Sequence, residues 1–333
     1  MLRFAVLLAL ISLVASSARA NGMDPTLGRL RLAAGRGGCP TSIPGGFCPD
    51  QELFERLVSE LSVAMAPAVT AAAHSEGPRA LRLGFDMTIT SVEAAQAYWA
   101  LGTEGTAGSS VNASPAGALV WNRLSVRKGL PFGFEVGASL GQGAGTSIWN
   151  LGVALKWALF EGFRSGIGSL PDVSVQGSFS RSVGSSQLSV SQGAIDLTLS
   201  KPFVIGRAFA LAPLGGMQAL ITRVESGVVD LTPGGPNDAY ASCMPVPGDQ
   251  PASPTCAASG NGADFSSNVV FRPVTQTRVR PFLGAQGRYA SLVMSVTGLF
   301  DLLAPALAAT PVRIASPNVA RQVAINFAVG VVL

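Results

Sequence analysis

The chain has 333 residues, 23 Lys+Arg against 19 Asp+Glu for a formal net charge of +4, 39 Gly, one His and only 13% charged residues. Charge this weak, with no basic patch, argues against a nucleic-acid-binding protein. Mean hydropathy is +0.39, yet no apolar run past the N-terminus reaches the roughly 20 residues of a spanning helix; the hydrophobicity is spread over short alternating segments, which points to strands.

Met1-Leu2-Arg3 is a short positive start, Phe4 to Val14 is nearly all apolar, and Ala18-Arg19-Ala20 is a small-x-small cleavage site. Residues 1–20 are predicted to be a removed signal peptide, since the run is too short to anchor in a bilayer. Losing Arg3 and Arg19 takes the 23 basic residues to 21 against 19 acidic ones, a net +2. Export fits the cysteines. Cys39 and Cys48 bracket a Pro/Gly turn, and Cys243 and Cys256 bracket Pro/Ser/Gly-rich sequence. Four cysteines allow three pairings, of which the local one closes two short loops. Cys-x8-Cys and Cys-x12-Cys lack the close pairs of zinc sites, so no metal is expected.

Residues 21–79 are predicted to form an N-terminal periplasmic segment that either caps the mouth or plugs the interior of the fold built by the remainder of the chain. Residues 21–49 are Gly/Pro-rich, and Asp50 is placed to cap a helix in which Leu53, Leu57 and Leu61 recur at i, i+4 and i+8. Phe54, Val58 and Met65 widen that stripe, and Pro67 ends it.

From residue 80 to 333 the period is two. Leu81, Leu83, Phe85, Met87 and Ile89 alternate with Arg82, Gly84, Asp86, Thr88 and Thr90. Further strands cover about 119–127, 132–141 and 149–159, and then Val173 to Ser180. Residues 187–200 change phase near Gly193, where a bulge is expected. The remaining strands cover about 207–223, 276–287, 290–301 and 318–333. The last puts Val323, Ile325, Phe327, Val329, Val331 and Leu333 on one face. It is predicted to pair with residues 81–91 and close the sheet, hiding both edges. With strands alternating up and down, the long connections at 93–117, 224–272 and 302–317 fall on one side. Trp149, Trp157, Phe132, Phe134, Tyr289 and Phe300 sit near strand ends, as interfacial aromatics do.

The signal peptide, the alternating strands and the C-terminal strand resemble the broad class of bacterial outer-membrane β-barrel proteins. The resemblance covers residues 80–333 and departs at the last position, where Leu333 replaces the usual aromatic. It implies an all-β, antiparallel up-and-down transmembrane β-barrel of about 10–12 strands in the outer membrane, with lipid and the barrel-assembly machinery as partners. Charged side chains on a lipid face cost about 2–4 kcal/mol near the midplane. Arg82, Asp86, Arg123, Arg127, Glu135, Lys156, Asp196, Arg278, Arg280 and Arg288 are therefore expected to line the lumen. There they either pair across a filled interior or line a weakly anion-preferring path.

No enzyme or cofactor is expected. Gly137-Ala138-Ser139-Leu140-Gly141 fits G-x-S-x-G but lies inside a strand with no following helix, and the sole histidine, His74, precedes the first strand. The preferred reading is a passive pore or transporter for small solutes or an amphipathic ligand. The alternative is a structural or surface-interaction barrel acting through its 224–272 loop.

Overall fold

The structure is a computed structural model that describes residues 22–43, 46–106, 109–161, 170–206, 209–232, 267–302, 306–307 and 321–333. Its main body is a closed antiparallel barrel of ten strands. These are β1 (Leu81–Ser91), β2 (Ala118–Gly129), β3 (Phe134–Gly143), β4 (Trp149–Phe160), β5 (Asp172–Val183), β6 (Leu188–Ser200), β7 (Phe209–Ser226), β8 (Val274–Tyr289), β9 (Leu292–Phe300) and β10 (Val323–Val332). Each strand pairs with the next, and β10 returns to β1 in register from Ala324 opposite Thr90 to Val332 opposite Arg82. Leu81 and Leu333 then exchange backbone hydrogen bonds below the last pair, so the seam carries no free edge there.

The alternation is inverted relative to a soluble sheet. On β4, Leu151, Val153, Leu155, Trp157 and Leu159 face outward and are exposed, whereas Asn150 and Lys156 are buried inside. The same holds for Ile195, Leu197 and Leu199 on β6 and for Val323, Ile325 and Phe327 on β10, while Val329 and Val331 are half-buried on that face and Leu333 is exposed. An apolar band of this extent outside a polar interior is what a lipid-facing barrel requires. Aromatic side chains mark its rims. Phe134 stacks on Trp157 at 5.3 Å near the short-turn end. Phe132 (91% exposed) and Tyr289 lie at the same end, and Trp149 and Phe300 lie at the other.

Residues 22–64 form a small domain at the mouth where the long connections lie. Leu27–Arg29 is a 3-10 turn, Arg31–Ala33 pairs with Phe47–Pro49, and the Cys39–Cys48 disulfide closes that ribbon. Cys243 and Cys256 lie outside the described residues. Helix α1 (Gln51–Ala64) starts where the Asp50 carboxylate accepts the Leu53 amide at 3.0 Å. Its stripe of Phe54, Leu57, Val58 and Leu61, with Met65 just beyond, is wholly buried. It packs with Tyr98 and Trp99 of helix α2 (Ala97–Gly102) and with Trp121, Leu188, Val190, Val224 and Val274, which point inward at strand ends.

This placement corrects two expectations. Of the N-terminal segment, residues 65–79 plug the lumen, while residues 22–64 lie not at the mouth where β1 begins and β10 ends, the one read as periplasmic, but at the opposite, long-loop mouth. Nor is there a bulge at Gly193: burial alternates unbroken from Leu188 to Ser200, and the register with β5 and β7 is continuous. The apolar phase changes because Leu188 and Val190 point inward against α1, while Ile195, Leu197 and Leu199 point outward. The β4–β5 pair shifts register instead, between Ala158 and Phe160.

Candidate functional site: a plugged lumen

Between α1 at one mouth and β1 at the other, residues 65–80 run down the inside of the barrel. The stretch Ala66-Pro67-Ala68-Val69-Thr70-Ala71-Ala72-Ala73 carries only small or compact side chains. An extended chain has no ladder of its own, so its backbone groups need outside partners. The wall supplies them. Asn150 donates to the Met65 carbonyl at 3.4 Å, Arg123 to Ala66 at 2.9 Å and Gln218 to Pro67 at 3.2 Å. Thr297 donates to Val69 at 2.6 Å and Ser295 to Thr70 at 2.8 Å. Lys156 donates to both Ala72 and His74 at 2.7 Å. In the other direction the amide of Ala72 donates to Gln286 and that of Ala73 to Ser200, each at 2.9 Å. The amides of Ser75 and Glu76 donate to Glu161 and Glu135 at 2.7 and 2.6 Å.

Charges inside the barrel are paired in three tiers. At the long-loop mouth Arg278 pairs with Asp301 and also donates to the Ser59 carbonyl, while Arg280 lies 3.6 Å from the same carboxylate. At mid-height Arg123 meets Asp86 at 2.8 Å. A chain of bonds also crosses the wall there: Arg127 to Gln176, Gln176 and Gln218 to Asp196, and Arg280 to Gln218. At the other mouth Glu76 of the plug sits between Arg288 at 2.7 Å and Arg82 at 3.7 Å, and Lys156 lies 3.6 Å from Glu135. The ten side chains expected to face the lumen are thus placed inside: Arg82, Asp86, Arg123, Glu135, Lys156, Asp196, Arg278 and Arg280 buried, and Arg127 and Arg288 half-buried. They surround a filled interior rather than lining an open path.

Glu60 is a buried carboxylate that sequence reading missed. It lies within the apolar run of α1 and accepts the Tyr98 hydroxyl at 2.6 Å, the Trp99 indole N–H at 2.9 Å and the Glu93 amide at 3.0 Å. It therefore ties the helix to the connection after β1. Burial, followed by the bond to Glu60, pushes the Tyr98 hydroxyl pKa well above the ordinary tyrosine value.

Two glycine pairs make room for close neighbours, one for backbone and one for a ring. A side chain at Gly129 would strike the Gly77 carbonyl, and Gly77 itself holds φ +90 where the plug turns into β1. Gly141 and Gly143 on β3 leave the space that the Trp121 ring occupies under α1.

A cavity of about 50 Å³ of mixed polar and apolar lining lies beside the plug on the β2–β5 side, bordered by Pro67, Arg127, Ser139, Asn150, Ala154 and Ser178, and a smaller one of about 10 Å³ lies between Val69, Lys156 and Asp196. Ser139 lies on a straight strand there, opposite Ser125 and Gly152. Among the described residues no group of His, Cys, Asp and Glu is arranged to hold a metal.

The closed ring, the apolar exterior and the polar, charge-paired interior decide the architecture. The fold is that of an outer-membrane β-barrel. No protein-family model matches the chain, and no curated protein does. Among solved structures it is similar to the crystal structure of Ail, the attachment invasion locus protein of Yersinia pestis. The identity is 9%, over 76% of this chain and 97% of that one, with a TM-score of 0.24. Superposition at that score adds nothing to the architecture, which stands on the strand pairing.

Proposed function

We propose that this protein is a sealed outer-membrane anchor that holds its N-terminal domain, residues 22–64, and the adjoining long connections on the outer face as a contact platform. It would be exported with residues 1–20 removed and inserted by the barrel-assembly machinery. The observation that carries this reading is the plug. Its backbone is bonded along most of its length to wall side chains. One end is set in the apolar core around α1, and the other continues covalently into β1. A segment held at both ends cannot leave the lumen by a simple swing. The reading includes no catalytic step and no cofactor.

The expected result for the purified full-length protein in planar bilayers is absence of stable conductance. A peptide tag in the exposed turn at Gly37 and Gly38 should be reached by antibody on intact cells. A persistent open channel in the intact protein would overturn the sealed-anchor reading. It would favour the second one, a small-solute pore, for which the cavity beside the plug is the supporting observation.

A further inference from the structure

Between residues 66 and 73 the wall meets the plug through its backbone, while Glu76 at the far mouth is also held through its carboxylate by Arg288 and Arg82. Carbonyls are met by Arg123, Gln218, Thr297, Ser295 and Lys156, and amides by Gln286, Ser200 and Glu135. These donors and acceptors come from most of the strands around the ring, so the extended chain is contacted from all sides. In that stretch the side chains contribute little beyond being small: Val69 and Ala72 pack against Ala212, Leu214, Phe282, Leu299 and Ala324, and Ala66 against Ala194 and Leu220. A site that satisfies backbone groups and asks only for compact side chains is tolerant of sequence. The topology adds a direction. The chain N-terminal to this segment is folded at the long-loop mouth, while the strand after it starts at the other mouth.

We propose that the lumen is a conduit for extended polypeptide, recognised by its backbone, and that residues 22–64 reach the long-loop face through it. The ligand class is an unfolded peptide with small side chains, and the chain's own residues 66–73 are its resident occupant. The domain folds after passage, when α1 meets the inward apolar side chains at the strand ends and Cys39 reaches Cys48. The barrel would accordingly carry other unfolded sequence attached ahead of residue 22 to the same face. This inference rests on the outward placement of residues 22–64.

The test uses full-length protein on intact cells. It has two readouts: heat-modifiable gel mobility for the folded barrel, and antibody labelling of an epitope in the turn at Gly37 and Gly38 for display. Replacing residues 68–73 by a different sequence of Ala, Ser, Gly and Val should leave both unchanged. An unstructured passenger placed between residues 20 and 22 should be labelled as well as the turn is. Ala73→Pro, which removes the amide that donates to Ser200, and Ala72→Trp, which enlarges a buried plug residue, should each lower labelling per folded barrel by about tenfold. Folded barrel with lost labelling after the small-residue exchange would overturn the conduit, because the plug would then be a sequence-specific strut. A folded barrel whose passenger stays unlabelled while the turn is labelled would overturn it too. Failure of the wild-type turn to label would instead refute the outward placement itself.

Discussion

Lys156→Met is the substitution that most directly tests whether the plug is held by the wall. Lys156 is buried, donates to two plug carbonyls at 2.7 Å and lies 3.6 Å from Glu135, whose other oxygen accepts the Glu76 amide. Methionine keeps most of the volume and removes the cation. Breaking a buried pair by deleting one partner costs about 3–5 kcal/mol, because the remaining charge is stranded. The two lost carbonyl bonds fall within that figure, since they belong to the same ammonium. Adding Glu135→Gln removes the stranded charge and preserves an acceptor for Glu76. What remains is the cost of the unpaired carbonyls of Ala72 and His74, about 1–3 kcal/mol for each that stays dry. The double variant should therefore be more stable than Lys156→Met alone. Urea unfolding of the detergent-folded protein, monitored by tryptophan fluorescence and gel mobility, measures all three. If Lys156→Met lies within about 1 kcal/mol of wild type, or if the second substitution restores nothing, the ion pair and its bonds to the plug are not what holds this segment.

Named contacts elsewhere give four further expected outcomes. Asp50→Ala should cost about 1 kcal/mol through loss of the helix cap, read as a lower urea midpoint. Tyr98 has its pKa raised by burial and by Glu60, so the folded state keeps a proton that the unfolded chain loses as pH rises past about 10. Stability should consequently fall above that pH, by up to about 1.4 kcal/mol per unit from this group, and Tyr98→Phe should remove that part of the slope. Reduction of Cys39–Cys48 should expose the 31–49 ribbon to protease while the heat-modifiable shift of the barrel stays intact. Leu333→Phe should assemble at least as well as wild type, whereas deletion of Val331 to Leu333 removes the last pairs with Leu83 and Arg82 and the bonds to Leu81, and should lower folded yield.

The barrel was legible because period-two alternation and the cost of a charge in lipid are local rules. They place Arg82, Glu135 and Lys156 on one side of the wall without knowledge of any neighbour. The closing pair was legible too, since in an up-and-down order β1 and β10 are the two strands each left with one unpaired edge. What occupies the lumen was not legible. Residues 66–73 have no periodicity and no special residue type, and their structure depends on bonds to strands up to 228 positions away, such as Thr297 to Val69. The phase change in β6 misled for a related reason. An apolar inward residue such as Val190 makes sense only once α1 is known to sit above it. Glu60 was hidden by its surroundings, because its partners Tyr98 and Trp99 lie in a connection that shows no strand pattern.

The sealed interior also fixes how an unsealed one would behave. Wall groups that now bond the plug, among them Asn150, Gln218 and Thr297, are polar and would be wetted if residues 22–79 were removed. Their loss of protein partners would then cost far less than burial without partners, because water replaces the plug backbone. The strand ladder does not involve the plug, so the shortened barrel should still close. Ten strands lie between the eight whose side chains fill the interior and the sixteen that leave a channel, and much of the inner face here is Gly, Ala and Ser. A narrow aqueous path is therefore expected. Removing the plug takes away Glu76 and Glu60 but leaves seven cations, Arg82, Arg123, Arg127, Lys156, Arg278, Arg280 and Arg288, against six carboxylates, Asp86, Glu135, Glu161, Asp172, Asp196 and Asp301. Cations outnumber carboxylates, so the path should prefer anions, visible as a reversal potential displaced toward that of chloride in a KCl gradient. The intact protein should pass no current under the same conditions. A folded 80–333 barrel that is closed, or open but cation-preferring, would show that the polar interior packs on itself and that the plug is not what seals it.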